Sequence, residues 1–150
     1  MKAVDRTRRK LLAGLGALIV AGPAAATPEA MAAAIKAFTG GATPAEGKIT
    51  LEVARLVDNG NTVPVTVRVE SPMTASDHVA AIAIFNERNP ETGVAVFTLG
   101  ARAGKAEVST RIRMATSQKL MAVARMGDGS FWMTSADVVV ALAACIEGEA

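Results

Sequence analysis

The sequence predicts a mainly β protein, an immunoglobulin-like antiparallel β-sandwich with one short helix near its N-terminus. Two observations lead to this fold class. Apolar residues after Gly47 alternate with polar or small ones, which is the pattern of half-buried strands. Turn signals rich in Gly, Pro, Asn and Asp separate seven or eight such runs. Short antiparallel strands separated by such turns are typical of a two-sheet sandwich.

Residues 1–26 predict an export signal. Residues 7–12 read Thr-Arg-Arg-Lys-Leu-Leu, and the apolar run from Leu11 to Gly22 is too short to span a bilayer and precedes Ala24 to Ala26. Paired arginines ahead of leucines match the twin-arginine type of signal, which a receptor reads and which is not a membrane anchor. An ordinary secretory leader that contains Arg-Arg is the alternative. Either signal predicts a periplasmic mature chain that begins near Thr27.

The charge of the chain changes sign when the leader is set aside. The whole sequence has 16 basic and 14 acidic residues, a net charge of +2. Residues 27–150 keep 11 basic and 13 acidic side chains, with one Trp and no Tyr. A nucleic-acid-binding protein needs a basic surface and aromatic rings that stack on bases. The composition therefore argues against nucleic acid as a partner.

Residues 28–38 predict the one short helix. Thr27 is the candidate N-cap, Pro28 takes the first helical position, and Gly40 follows the end. Three apolar residues recur at helical spacing, which predicts a face that packs on the core. They are Met31, Ile35 and Phe38.

Eight runs after this helix predict strands that belong, with the helix, to one domain over residues 27–142. The strands are residues 49–53, 63–69, 78–85, 94–99, 107–114, 119–126, 130–134 and 138–142. The turns between them are expected near residues 58–61, 71–72, 89–90, 100–104 and 127–129. Phe131 and Trp132 belong either to the core or to an interface. The core is favoured, because a lone Trp in a sandwich is usually buried between the sheets.

Most familiar catalytic sites are absent from the sequence. A transition-metal site needs three or four converging ligands, and the chain has one His and one Cys. No glycine-rich loop opens a helix, so a phosphate-binding loop is not expected. Asp77 and His78 are adjacent, and neighbours on a strand point to opposite faces. We therefore predict a strand-edge histidine, with Asp77 bonded to the backbone of the loop at residues 71–76.

Cys145 is the residue of this chain best suited to carry out chemistry. A single thiol in an exported protein cannot close an internal disulfide, so it is structural, bonds to another chain or does chemistry. The alternation of the last strand predicts an inward face of Val138, Val140 and Leu142, which Ala144 would share. Cys145 has the opposite parity, so residues 143–150 predict an outward-facing strand end or a short arm. Glu147 and Glu149 would disfavour its thiolate until a partner supplies positive charge.

Seven strings distributed along the mature chain can be compared with known families. They are residues 58–67, 70–74, 84–86, 89–90, 108–113, 122–124 and 128–132. These strings resemble the SoxY family, the sulfur carriers of bacterial thiosulfate oxidation. The similarity extends over nearly the whole mature chain and includes the type of leader.

The resemblance implies a fold, a role and a set of partners. Members of this family are immunoglobulin-like, pair with a smaller all-β subunit called SoxZ, and carry sulfur intermediates covalently on a cysteine of a C-terminal arm. Cys145 occupies that place and is the implied attachment residue. A haem-containing enzyme loads thiosulfate, a hydrolase releases sulfate, and a sulfur dehydrogenase oxidises the remaining sulfur. The carrier is implied to be no enzyme and to need no cofactor.

The sequence departs from the family pattern around this cysteine. The family arm typically ends Gly-Gly-Cys-Gly-Gly, whereas residues 143–147 read Ala-Ala-Cys-Ile-Glu. Alanine lacks the conformational freedom of glycine, so this arm should be stiffer. Whether it serves the usual enzymes is open at this point.

Two functions follow from these observations. The first is a covalent carrier of sulfur intermediates in periplasmic thiosulfate oxidation, with Cys145 as the attachment point. The second is a non-catalytic periplasmic assembly or binding module, in which Cys145 is incidental or forms an interchain disulfide.

Overall fold

The computed structural model describes residues 26–143. Within that range the chain forms one helix and nine strands. The bounds are α1 Pro28–Thr39, β1 Ala45–Glu46, β2 Ile49–Glu52, β3 Leu56–Asn59, β4 Val63–Val69, β5 Val79–Asn86, β6 Gly93–Thr98, β7 Glu107–Ile112, β8 Gln118–Met126 and β9 Phe131–Leu142. No helix in this range is long and apolar enough to cross a membrane.

Helix α1 begins and ends where the sequence predicts. The Thr27 hydroxyl accepts a hydrogen bond from the Ala30 N–H at 3.1 Å, which satisfies one of the free donors of the first turn. Gly40 ends the helix with φ of 63°, a left-handed conformation that costs glycine little. The predicted apolar face is confirmed, since Met31 is buried and Ile35 and Phe38 pack beside it.

Two sheets face each other, which confirms the immunoglobulin-like sandwich. The larger sheet has the order β1-β9-β8-β5-β6, with β3 also paired to β9, and the smaller sheet has the order β2-β4-β7. Alternate residues of both sheets point into the space between them. Val63, Val65 and Val67 of β4 meet Ile82 and Ile84 of β5 in one core cluster, and all five are at most 1% exposed.

The outer faces of the two sheets have different coverings. Helix α1 lies over the larger sheet, where Phe38 makes edge-to-face contacts with Phe85 and Phe131 at ring distances of 6.0 Å. The smaller sheet exposes a polar face, on which Arg68 pairs with Glu52 and Glu107. Among residues 26–143, a second layer therefore covers the outer face of the larger sheet and leaves that of the smaller sheet open.

The strand prediction is wrong in two respects. Residues 130–134 and 138–142, predicted as separate strands, form the single strand β9. The sandwich is also not wholly antiparallel, because β1 and β3 run parallel to β9. Both segments are short and mostly exposed, so they show none of the alternation by which a strand is recognised.

Candidate functional site

The candidate site is the end of the sandwich from which the chain continues to Cys145. Cys145 and the rest of the predicted arm after Ala143 lie outside the described residues. Strand β9 ends at Leu142, three residues earlier. Because consecutive Cα atoms are about 3.8 Å apart, the Cα atom of Cys145 lies no more than about 11 Å from that of Leu142. The surface around the end of β9 is therefore the described surface that is nearest to Cys145 along the chain.

A two-stranded ribbon forms this end of the sheet. Strand β9 pairs with β8 up to Val138, and its last four residues pair along the sheet with β3 alone. We call residues 56–59 and 139–142 the exit ribbon. The inward side of the ribbon joins the core, since Val57 is 9% exposed and Val140 packs against the same cluster.

Backbone hydrogen bonds fix the exit ribbon up to its last residue. The Val139 N–H donates to the Arg55 carbonyl and the Gly60 N–H donates to the Leu142 carbonyl, both at 2.8 Å. The Val140 N–H donates to the Ser117 hydroxyl at 2.9 Å. Since each group has a defined partner, the chain leaves the sandwich from a fixed point.

The exit ribbon exposes aliphatic side chains on both faces. Leu56 and Val139 are paired residues of parallel strands, so their side chains lie side by side on the outer face, with 64% and 54% exposed. Leu142 is 67% exposed, although the alternation predicted an inward position. The prediction is wrong there because β9 has passed the end of the core before it reaches Leu142.

An amide network fastens the two loops beside the exit ribbon. The buried side chain of Gln118 accepts a hydrogen bond from the Arg88 N–H at 2.9 Å and donates to Asn89 Oδ1 at 2.7 Å. Asn89 in turn donates to the Arg113 carbonyl at 2.7 Å and accepts from the Ala115 N–H at 2.9 Å. The loops after β5 and after β7 are thereby joined to each other, beside an open cavity of about 320 Å³.

Charged groups of both signs surround the site. On the outer face Lys119 pairs with Asp137 at 2.8 Å, and this hydrogen bond raises the pKa of Lys119. Arg88 and Arg113 lie on the joined loops, and both residues are exposed. Neither guanidinium group has a carboxylate partner within 4.0 Å among the described residues. Arg113 precedes Met114, whose N–H donates to the Gly60 carbonyl at 2.8 Å. The backbone that carries Arg113 therefore lies next to the exit ribbon.

The structure places His78 at the opposite end of the sandwich. Its carbonyl accepts from the Gly127 N–H after β8, whereas the exit ribbon lies at the start of β8, roughly 25 Å away at about 3.3 Å per residue. His78 precedes β5, which is an interior strand, so the predicted edge position is wrong. Asp77 bonds to the backbone of the loop at residues 71–76 as predicted, since its carbonyl accepts a hydrogen bond from the Thr74 N–H at 2.8 Å.

Phe131 and Trp132 belong to two different layers. Phe131 contacts the helix, while Trp132 packs on the core between the sheets and lies 4.8 Å below the Lys48 ammonium group. Both are only half-buried. The preference for the core over an interface agrees with these contacts. The part of the chain that the structure describes contains no cluster of His, Cys, Asp and Glu suited to a metal ion.

The exit ribbon itself could not be recognised in the sequence. Residues 58–61 were predicted as a turn because they read Asp-Asn-Gly-Asn, but Asp58 and Asn59 belong to β3. The signal that exists is weak: Leu56 and Val57 are two adjacent apolar residues before the turn. Their partner strand begins more than seventy residues later, and no local pattern reveals it.

Comparisons with known proteins agree with this architecture. The family profile described as "Sulfur oxidation protein SoxY" matches residues 35–145, a range that ends at Cys145. The structure of the sulfur carrier protein SoxY from Chlorobium limicola f thiosulfatophilum is 33% identical with a TM-score of 0.61, and the match covers 73% of this chain and 94% of that chain. No curated protein sequence matches this chain.

Other solved structures share the fold alone. A superoxide reductase (neelaredoxin) from Ignicoccus hospitalis is 18% identical with a TM-score of 0.57, covering 77% of this chain and 89% of that chain. A putative superoxide reductase from Thermotoga maritima is 18% identical with a TM-score of 0.55, covering 69% and 89%. The family profile spans most of the chain, and the SoxY structure combines sequence identity with fold. The chain therefore belongs to the SoxY family of sulfur oxidation proteins.

Proposed function

We propose that this protein is a non-catalytic, covalent carrier of sulfur intermediates, and that the Cys145 thiolate is the attachment point. The observation that carries the proposal is the SoxY profile match, which runs through to residue 145 and includes the only cysteine of the chain. The solved relative is described as a sulfur carrier protein. The fixed exit ribbon supports the proposal, because a carrier needs a scaffold that brings one thiol to a defined place.

The chemistry of loading is an oxidation at the thiolate. The Cys145 thiolate and the outer sulfur of thiosulfate form an S–S bond, and two electrons leave to an oxidant, which we propose is a haem-containing enzyme. Hydrolysis of the product by a second enzyme releases sulfate and two protons and leaves a persulfide on the cysteine. A sulfur dehydrogenase then oxidises the sulfane sulfur. The carrier contributes the nucleophile and no cofactor.

The local charges suit this chemistry. Both thiosulfate and the sulfonate adduct are anions, and positive charge near a thiol favours the thiolate. Arg88 and Arg113 provide exposed positive charge on the loops beside the exit ribbon. Glu147 and Glu149 oppose this effect from within the sequence that follows the cysteine.

Mass spectrometry tests the attachment. Purified protein incubated with thiosulfate and its loading enzyme should gain the mass of one thiosulfate on the peptide that contains Cys145. Cys145→Ser should gain nothing, and reductant should remove the adduct. An intact, unmodified thiol in the wild-type protein under these conditions would contradict the carrier function and favour an assembly module.

We propose further that the carrier is periplasmic and is exported by the twin-arginine route. The support is the sequence of residues 7–12 and the apolar run after it. Cell fractionation tests this: Arg8→Lys combined with Arg9→Lys should retain the protein in the cytoplasm, because the receptor distinguishes the paired arginines from other cations. Unchanged export of this variant would indicate an ordinary secretory leader.

We also propose that the carrier works as a heterodimer with a SoxZ-like subunit. Family membership supports a place in the sulfur-oxidation system. Co-expression with the SoxZ-like chain of the same genome should give a complex that elutes as one peak of heterodimer mass. Separate elution of the two chains at micromolar concentration would contradict the heterodimer.

A further inference from the structure

Exposed apolar surface is concentrated at the exit ribbon. Four large hydrophobic side chains are exposed among the described residues, and three of them belong to the ribbon: Leu56, Val139 and Leu142. The fourth, Val96, is 60% exposed on β6 at the far edge of the same sheet. Single exposed aliphatic residues are ordinary, whereas a group of them on one short element indicates a contact surface.

The arrangement of the three side chains suits a cleft that closes around the ribbon. Leu56 and Val139 share the outer face, and Leu142 has the parity of the inward residues but lies beyond the core. The ribbon thus presents aliphatic groups on both faces at the point where the chain continues to Cys145. A flat partner surface would contact one face only.

We propose that the exit ribbon is the docking contact for the enzymes whose clefts receive Cys145. This inference rests on the proposed carrier function. A catalytic group that acts on sulfur attached to Cys145 must approach to within bonding distance, and the Cα atom of that residue is within about 11 Å of Leu142. The rim of the enzyme's cleft therefore contacts the exit ribbon, and apolar or aromatic side chains on that rim would bury Leu56 and Val139.

The size of the contact distinguishes an enzyme from a permanent subunit. A stable interface buries about 800 Å² on each partner, which takes twenty or more residues. Three aliphatic side chains supply a small part of that area. A small apolar contact suits a partner that must bind, react and leave, as successive enzymes acting on one carrier must do.

Kinetics of loading by the thiosulfate-linking enzyme test the inference. Leu56→Lys and Val139→Lys should each lower kcat/KM for the carrier by about tenfold, mainly through KM, as expected for a buried contact residue. Val96→Lys is the matched control, with a similar exposed aliphatic group on the same sheet, and should load like the wild type. Alkylation of Cys145 by iodoacetamide should be equally fast in all four proteins, because the thiol itself is unchanged.

Three kinds of result would overturn the inference that the exit ribbon is the docking contact. Wild-type kinetics in both ribbon variants, or an equal defect in Val96→Lys, would remove the role of the ribbon. Loss of the SoxZ-like subunit from Leu56→Lys, or loss of self-association, would assign the surface to a subunit instead. Should lysine disturb folding, Leu56→Ser and Val139→Thr give the same comparison. Failure of the wild type itself to load would refute the carrier function, a result distinct from normal loading of the ribbon variants.

Discussion

At the scale of single residues, the close contact of His78 with Gly127 shows how little space the chain has at the end of the sandwich opposite the exit ribbon. A Cβ atom on Gly127 would lie 2.5 to 2.9 Å from three atoms of the imidazole ring. The Nδ1 atom of that ring is buried and has no hydrogen-bond partner among the described residues. The glycine is therefore required by its neighbour and not by an unusual φ angle.

Gly127→Ala should destabilise the protein by about 1–2 kcal/mol, because the ring must move away from the new methyl group. Thermal or urea unfolding measures the loss. Gly100→Ala is the control, since a Cβ atom there meets nothing within 4 Å. In a His78→Ala background the same change at Gly127 should cost less, and equal cost in both backgrounds would show that the ring is not the obstacle.

The turn after β8 gives a prediction about pH. The Asp128 carboxylate accepts hydrogen bonds from the Ser130 hydroxyl and N–H at 2.7 and 2.8 Å, and these lower the pKa of Asp128. A carboxyl whose pKa is lower in the folded state stabilises that state above its unfolded pKa, and this stabilisation is lost as the pH falls through the folded pKa. Ser130→Ala should raise the pKa of Asp128, as measured by NMR titration. An unchanged titration midpoint would contradict these hydrogen bonds.

At the scale of elements, the amide network around Gln118 decides whether the loops beside the exit ribbon stay in place. Gln118→Leu removes the acceptor of the Arg88 N–H and the donors to Asn89 Oδ1 and to the Thr116 carbonyl. Because Gln118 is buried and loses three hydrogen bonds, we expect the free energy of unfolding to fall by about 1–3 kcal/mol. Thr66→Ala, which removes an exposed hydroxyl pair with Ser109, should change stability by less than about 0.5 kcal/mol. Equal effects of the two substitutions would show that the network is not structural.

The elements that could be predicted are those whose cap residues or pattern of apolar and polar side chains shows which face is buried. Helix α1 has its cap residues and an apolar face, and β4 has four buried valines in alternation. Strands β1 and β3 have two and four residues, mostly exposed, and exist because backbone groups pair with β9. Cys145 was singled out in the sequence as a lone thiol, and its role as an attachment point is implied only by the resemblance to a family. The exposure of the aliphatic side chains of the exit ribbon depends on where β9 leaves the core, which only the fold determines.

At the scale of the whole molecule, the connectivity predicts slow folding. Strand β9, near the end of the described residues, is the partner of β1, β3 and β8, so two early segments cannot pair until the late one is in place. Sandwiches dominated by such distant pairings fold in milliseconds to seconds. Stopped-flow fluorescence of Trp132, the only tryptophan, should show refolding in that range. Refolding within microseconds would contradict a rate set by distant pairing.

The parallel pairing of β1 and β3 with β9 has a mechanical consequence. A pull on the chain beyond Leu142 acts along the axis of β9, and the ladders to β8, β3 and β1 lie perpendicular or oblique to that axis. Such a force loads many hydrogen bonds together in shear and does not peel them one at a time. The last strand can therefore bear tension from its end while the sandwich behind it keeps its shape.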